Sequence, residues 1–469
     1  MILKNGRVLV QEDSNINFKK IDIRIKDNII SELSKDIIYE SNEECIDLNG
    51  DYILPGLVNS HYHSYTNILK GTSFGEPLEL WSFDTIALGK ILSDCDMEIS
   101  VLLGICEMLR SGVTACVDHL PHLATSHKAA RTYENTGFRS GLAPMLHNIP
   151  DSDILYKINI SKTKSGKNNI FSSTLDYIDF YTDFINNFHK PDKNIQVIVG
   201  INSPQRADDN LLEAASELAH KYDLPIHSHL LETKWQKISA NHDESPLLKM
   251  DRLNLLGNKT SLAHCIWLNN DELDLLAERN SIVVSNPTSN CFIGSGIFNA
   301  KEFLKRNIKI TLGSDGLNCG TNNNMLEVLK IFLLLQRTQS SYTNWITSNE
   351  AFKMVSQNAS DILGTYNPIG QIAKNCSADL VVVDKNSFLD ILDKTLPIQL
   401  IFNTSTLPVK HVMINGNMVM KDYKLVTIDE EGLRKEIEER KPYLKKAMEK
   451  ALSTTYTEKD IYRSVYESL

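Results

Sequence analysis

The stretch Leu54-Pro55-Gly56-Leu57-Val58-Asn59-Ser60-His61-Tyr62-His63 joins an apolar run, a Pro-Gly break and two histidines one residue apart. On a strand, side chains at i and i+2 share a face, so His61 and His63 project together. Two imidazoles from one strand end make half of a tetrahedral nitrogen site. Alone, a His-x-His pair is more often structural than metal-binding; its place after an apolar strand and Pro-Gly adds weight.

Working outward, Pro225-Ile226-His227-Ser228-His229-Leu230-Leu231-Glu232-Thr233 repeats that parity. His229 lies nearer the C-terminal end of its strand, where barrel enzymes carry their chemistry. Glu232, three residues on, can reach back over the site as a proton carrier. His227 falls one layer deeper, the position of a hydrogen-bonded core histidine. Leu262-Ala263-His264-Cys265 and Thr311-Leu312-Gly313-Ser314-Asp315-Gly316 each end an apolar run on a polar residue. Taken singly, His264 reads as a core histidine and Asp315 as a turn former. Four strand ends delivering such residues to one rim decide the reading.

Between residues 57 and 365, apolar strand-like runs alternate with amphipathic helical stretches in about eight units, the pattern of a (β/α)8 TIM-type barrel in the α/β class. Short strands in residues 1–56 and 366–425, with an Asn415-Gly416 hairpin signal, suggest a small β-sandwich domain formed from both chain ends. Residues 426–469 form a helical tail, and Glu430–Leu452 reads as a solvated helix. Pro150–Asp192 is longer and more polar than an ordinary connection, a helical loop elaboration of the barrel.

The 469 residues include 49 Lys and Arg against 59 Asp and Glu, a formal charge of -10, which argues against broad phosphate-backbone binding and for a small-molecule partner. No apolar signal segment stands at the N-terminus, and no apolar run approaches the ~20 residues needed to span a bilayer. The expectation is a cytoplasmic protein with no nucleic-acid or membrane partner. Eight cysteines without a C-x-x-C pair read as reduced thiols and exclude a zinc ribbon, leaving any metal to His and Asp.

Together the motifs resemble the amidohydrolase superfamily, specifically its cytosine deaminase-like and TrzN-like aminohydrolases. That group includes guanine, 8-oxoguanine and S-adenosylhomocysteine deaminases and the triazine hydrolases. The resemblance also takes in Glu107-Met108-Leu109-Arg110-Ser111-Gly112-Val113-Thr114, Asn286-Pro287-Thr288-Ser289-Asn290 and Ala378-Asp379-Leu380-Val381-Val382-Val383-Asp384. It implies that His61, His63, His229 and Asp315 bind one divalent metal, zinc foremost with Fe2+ or Mn2+ as alternatives. Ile195–Gly200, the fourth strand, has no lysine to bridge a second metal. The implied catalytic residues are Glu232, protonating a ring nitrogen, Asp315, taking the proton of the attacking water, and His264, steadying the developing oxygen.

The implied reaction replaces an amino group on a purine, pyrimidine, pterin or triazine carbon with hydroxyl and releases ammonia. Hydrolysis of an acyclic formimino or amidine group, or of a chloro- or alkylamino-triazine, is the alternative, and a non-catalytic scaffold relative a remote one. Candidates for contacting the heterocycle are Trp81, His119, Asn202, Gln205 and Asn290. Strand parity alone leaves open which of His119 and His122 faces the pocket. Ile201-Asn202-Ser203-Pro204-Gln205-Arg206 carries neither the Pro-His element usual in S-adenosylhomocysteine deaminases nor the Pro-Arg-Phe of guanine deaminases. A homo-oligomer, a dimer by resemblance, is also implied.

Overall fold

The computed structural model describes all residues except 13–14, 39, 41, 150–172, 191, 241–243, 457–458, 461–462 and 464–469. Most of the elaboration expected over Pro150–Asp192 therefore lies outside the described residues; its later part is the helix Thr174–Phe188, opened by a Ser173/Asp176 capping box. Among the described residues no helix is long and apolar enough to cross a membrane.

The chain begins with β1 (Ile2–Glu12), β2 (Asn15–Lys26), β3 (Ile29–Ser34), β4 (Cys45–Asp47) and β5 (Tyr52–Pro55). Next come β6 (Leu57–Tyr62), β7 (Val113–Leu120), β8 (Arg139–Leu146), β9 (Ile195–Val197), β10 (Val199–Ile201) and β11 (Ile226–Leu230). They are followed by β12 (Thr260–His264), β13 (Ile282–Ser285) and β14 (Ile310–Leu312), then β15 (Leu380–Val383), β16 (Val409–Ile414), β17 (Asn417–Lys421) and β18 (Lys424–Leu425).

Strands β6 to β14 pair side by side in parallel. β9 and β10 flank Ile198 and count as one stave, so there are eight. A parallel bridge between Tyr62 and Asp315 brings the end of β14 back to β6. Helices such as Asp94–Arg110, Asp209–Tyr222 and Met325–Gln339 separate the strands, and β7 and β8 are buried at every residue, as strands covered on both faces must be. This is the expected (β/α)8 barrel.

The two chain ends meet in a second sheet, where β5 pairs parallel with β1 and antiparallel with β15. Asn415 and Gly416 turn the β16–β17 hairpin with φ of 49° and 74°, as a tight two-residue hairpin turn requires. The expected sandwich takes the form of one continuous nine-stranded mixed sheet. The reason lies in β1, which carries β2 on one edge and both β4 and β5 on the other, with a register shift between Leu3 and Gly6. Leu3, Val8, Ile23, Ile30, Ile53 and Leu380 form its own core.

A buried ion pair ties sheet to barrel. Arg139 Nε donates to Asp379 Oδ2 at 2.7 Å and Arg139 Nη2 to Oδ1 at 3.0 Å, with both side chains almost fully buried. The tail helix Glu430–Ser453 is exposed over most of its length, as the sequence suggests, and docks along one narrow face. Leu433, Leu444 and Ala451 are buried, and Arg440 makes a two-pronged contact with the fully buried Asp96 at 2.8 Å.

Candidate active site

His61 and His63 leave β6, His229 leaves β11, His264 ends β12, and Asp315 follows β14, so all five reach the C-terminal rim. His63 Nε2 lies 3.2 Å from Asp315 Oδ1, and His61 Nε2 lies 3.5 Å from the same oxygen. His229 Nε2 is 3.4 Å from His63 Nε2. The opposite nitrogens are all engaged. His63 Nδ1 donates to the His119 carbonyl and His229 Nδ1 to the Asn202 carbonyl, each at 2.6 Å, and His61 Nδ1 lies 2.8 Å from His227 Nε2. Three Nε2 atoms and one carboxylate oxygen therefore converge.

Backbone strain places several of these groups. Leu231, His264, Cys265 and Asp315 adopt φ of 44°, 72°, 51° and 62°, a left-handed region that costs a non-glycine residue about 1–3 kcal/mol. Gly313 permits the close approach of β14 to β6, since a Cβ there would lie 2.7 Å from that of His61 and 2.5 Å from Asn286 Oδ1. Ser314 then donates its amide to Asn59 Oδ1 at 3.0 Å, while Asn59 Nδ2 donates to Ser314 Oγ at 2.7 Å. Asp315 itself accepts from the Gly316 amide at Oδ1 and from Ser289 Oγ at Oδ2.

The electrostatics suit a cation. Burial lowers His61 to about 4 and drives His229 and His227 well below the usual imidazole range, so these rings are neutral at pH 7. Burial would lower His63 too, but Asp315 beside it raises it instead. A divalent metal seated among these atoms would compete with protons for the same nitrogens. Burial would raise Asp315, yet the His61 and His63 imidazoles hold it well below the usual carboxylate range. His61 Nε2 is buried with no hydrogen-bond partner, a donor atom that a metal would satisfy. This nitrogen and oxygen set fits zinc or another first-row divalent ion.

A cavity of about 170 Å³ opens over this cluster, lined by His63, His229, Glu232, His264 and Asp315. His264 Nε2 lies 3.6 Å from Glu232 Oε2 and 3.8 Å from Asp315 Oδ2. Burial raises Glu232 to about 7, with Asp315 and Glu79 adding to the rise and His264 opposing it. Its Oε1 accepts from Ser295 Oγ at 3.2 Å.

Of the residues expected to touch substrate, Trp81, Asn202 and Gln205 line the cavity. Trp81 Nε1 donates to the Asn318 carbonyl at 3.3 Å, which fixes the indole in the wall. His119 and Asn290 are not among the residues that line it. Asn290 Oδ1 instead accepts from His264 Nδ1 at 2.9 Å, orienting that ring. His119 is buried among the histidines. His122, half-buried, packs edge-on against Tyr65 with ring centres 5.2 Å apart.

Sequence reasoning passed over Glu79, Tyr65, Met145, Trp235 and Ile293 in the cavity wall. Glu79 stands two residues before Trp81 in the first turn of the helix Leu78–Lys90, the one local signal available. Its Oε1 accepts from Thr233 Oγ1 at 2.6 Å, joining the helix Leu78–Lys90 to the turn that carries Glu232.

The barrel, its composite sheet and this rim of histidines define a metal-dependent hydrolase of the TIM-barrel type. The chain belongs to the amidohydrolase family, whose model matches residues 52–419. It is 29% identical over 456 residues to a 5'-deoxyadenosine deaminase of Methanobrevibacter smithii, covering 94% of this chain and 98% of that one. It is 28% identical over 448 residues to a 5-methylthioadenosine/S-adenosylhomocysteine deaminase of Halothermothrix orenii, again covering 94% and 98%. Its fold is similar to that of an adenosine deaminase from Xanthomonas campestris crystallised with bound zinc. The TM-score is 0.83 at 20% identity, over 95% of this chain and 98% of that one.

Proposed function

We propose that this chain is a hydrolytic deaminase that replaces an amino group on a ring C=N carbon with a carbonyl oxygen and releases ammonia. The observation that carries the reading is the convergence of His61, His63, His229 and Asp315 beneath a cavity that also holds a buried, protonatable Glu232. The two relatives are named for deaminating adenosine derivatives, which puts 6-aminopurines and their nucleosides first among the substrates to try.

His61, His63, His229 and Asp315 would hold one divalent metal. Such a metal supplies a hydroxide nucleophile at neutral pH by lowering the pKa of water towards ~7. Glu232 begins as an acid and gives its proton to the ring nitrogen beside the reacting carbon, which makes that carbon electrophilic. Asp315 Oδ2, within reach of the cavity, takes the first proton of the attacking water and passes it to the departing amino group. His264, its Nδ1 donating to Asn290 Oδ1, acts as the imidazolium, donating from Nε2 to the oxygen that adds to the ring and stabilising its charge. As the C–N bond breaks, the second water proton returns to Glu232. The ring keeps the Glu232 proton, and ammonia leaves with the other.

The test is an ammonia-release screen across aminopurines, their nucleosides, pyrimidines, pterins, triazines and formimino compounds. A hit that Glu232→Gln and His229→Ala abolish supports the reading; full activity in either variant rejects it.

A further inference from the structure

His119 sits at the penultimate position of β7, fully buried, and neither of its ring nitrogens has a hydrogen-bond partner among the described residues. Buried polar atoms are nearly always partnered, so this ring calls for an explanation. Its neighbours are other imidazoles. Its ring centre lies 4.7 Å from that of His229, 4.9 Å from His227, 5.7 Å from His61 and 5.9 Å from His63.

Two further facts tie it to the cluster. One ring nitrogen from each of His61, His119 and His229 lies within 4.8 Å of the other two. The carbonyl of His119 also accepts from His63 Nδ1 at 2.6 Å, so its own backbone is fixed against a member of the set. His119 is absent from the cavity wall, as is His61, whereas His63, His229 and Asp315 line it. It meets the cluster from the closed side.

We propose that His119 is a fifth protein ligand to the metal of this site, an inference that rests on the metal reading above. The ligand set then comprises four imidazoles and one carboxylate. A nitrogen donor on the closed side leaves the cavity-facing position for water or substrate. It also gives the site more donors than a tetrahedral ion needs, which suits metals that accept five or six ligands.

X-ray absorption and the visible spectrum of the cobalt(II)-loaded full-length protein test this without reference to activity. Wild-type protein is expected to show four imidazoles about the metal and the weak visible bands of high-coordinate cobalt(II). His119→Gln and His119→Ala are expected to lose one imidazole, to gain the more intense bands of lower-coordinate cobalt(II), and to bind Zn2+ at least tenfold more weakly. Three imidazoles in wild-type protein, or a cobalt spectrum that both variants leave unchanged, would overturn the proposal while leaving the metal site standing. The wild-type count decides the matter even where a variant fails to fold. A wild-type protein that takes up no metal overturns this proposal and the metal reading together.

Discussion

His227 Nε2 lies 2.8 Å from His61 Nδ1, and His227 Nδ1 lies 2.7 Å from Ser261 Oγ, whose hydroxyl donates to the Ile226 carbonyl. The order of donors follows. Ser261 accepts from His227 Nδ1, so His227 Nε2 accepts from His61 Nδ1 and His61 Nε2 keeps its lone pair. A fully buried core histidine thus sets the tautomer of a proposed metal ligand.

Replacing His227 with Ala removes that acceptor and frees the His61 ring to turn. Metal affinity is expected to fall by about 10–100-fold, the usual effect of losing such an outer partner. Competition with a chelating dye reads it directly, and an unchanged affinity would show that the relay is incidental.

Activity is expected to depend on the Glu232 proton. The acid form is needed, and burial raises the group to about 7. The working state is therefore present below that value and lost as pH rises through it, so kcat/KM falls on the alkaline side. Glu232→Gln should remove that limb and cost about 10²–10⁴-fold in rate. A profile that rises through pH 7 to 9 would contradict the assignment.

The Arg139–Asp379 pair is expected to bear on stability rather than on chemistry. Both side chains are nearly inaccessible, so removing one leaves the other charged and unpaired. Arg139→Ala should cost about 3–5 kcal/mol, whereas Arg139→Met with Asp379→Leu should recover much of the loss. Denaturant unfolding of the two variants measures the difference.

Lys459 joins the end of the tail to the cavity. It is buried against Glu76 and Asp84, Thr455 Oγ1 donates to Asp84 Oδ1 at 2.7 Å, and Asp84 belongs to the helix Leu78–Lys90 that carries Glu79 and Trp81. Lys459→Ala should loosen that wall and raise KM about three- to tenfold while kcat changes less, because only uniform binding is lost. Steady-state kinetics on any substrate from the screen separates the two constants.

Much of this was legible in residue order. The parity of His61 with His63, and the strand ends at His229, His264 and Asp315, follow from a period of two. Three kinds of feature were not. The left-handed backbone at Leu231, His264, Cys265 and Asp315 is imposed by tertiary packing against local preference. The Glu79–Thr233 contact joins residues 154 apart, with no local trace in either. The docking face of the tail helix is masked by the charged residues around it, although Leu433, Ile437, Leu444, Met448 and Ala451 recur at helical spacing. The contact of Asn290 was hidden for a related reason: parity says nothing of which way a helix-start side chain turns, and this one turns to His264.

The most direct test of the account is ammonia release before and after metal removal, on the best substrate of the screen. The account expects purified protein to carry about one equivalent of divalent metal. Chelation should abolish ammonia release, and one added equivalent of Zn2+ should restore it. Ammonia release that persists in fully chelated, metal-free protein would contradict it.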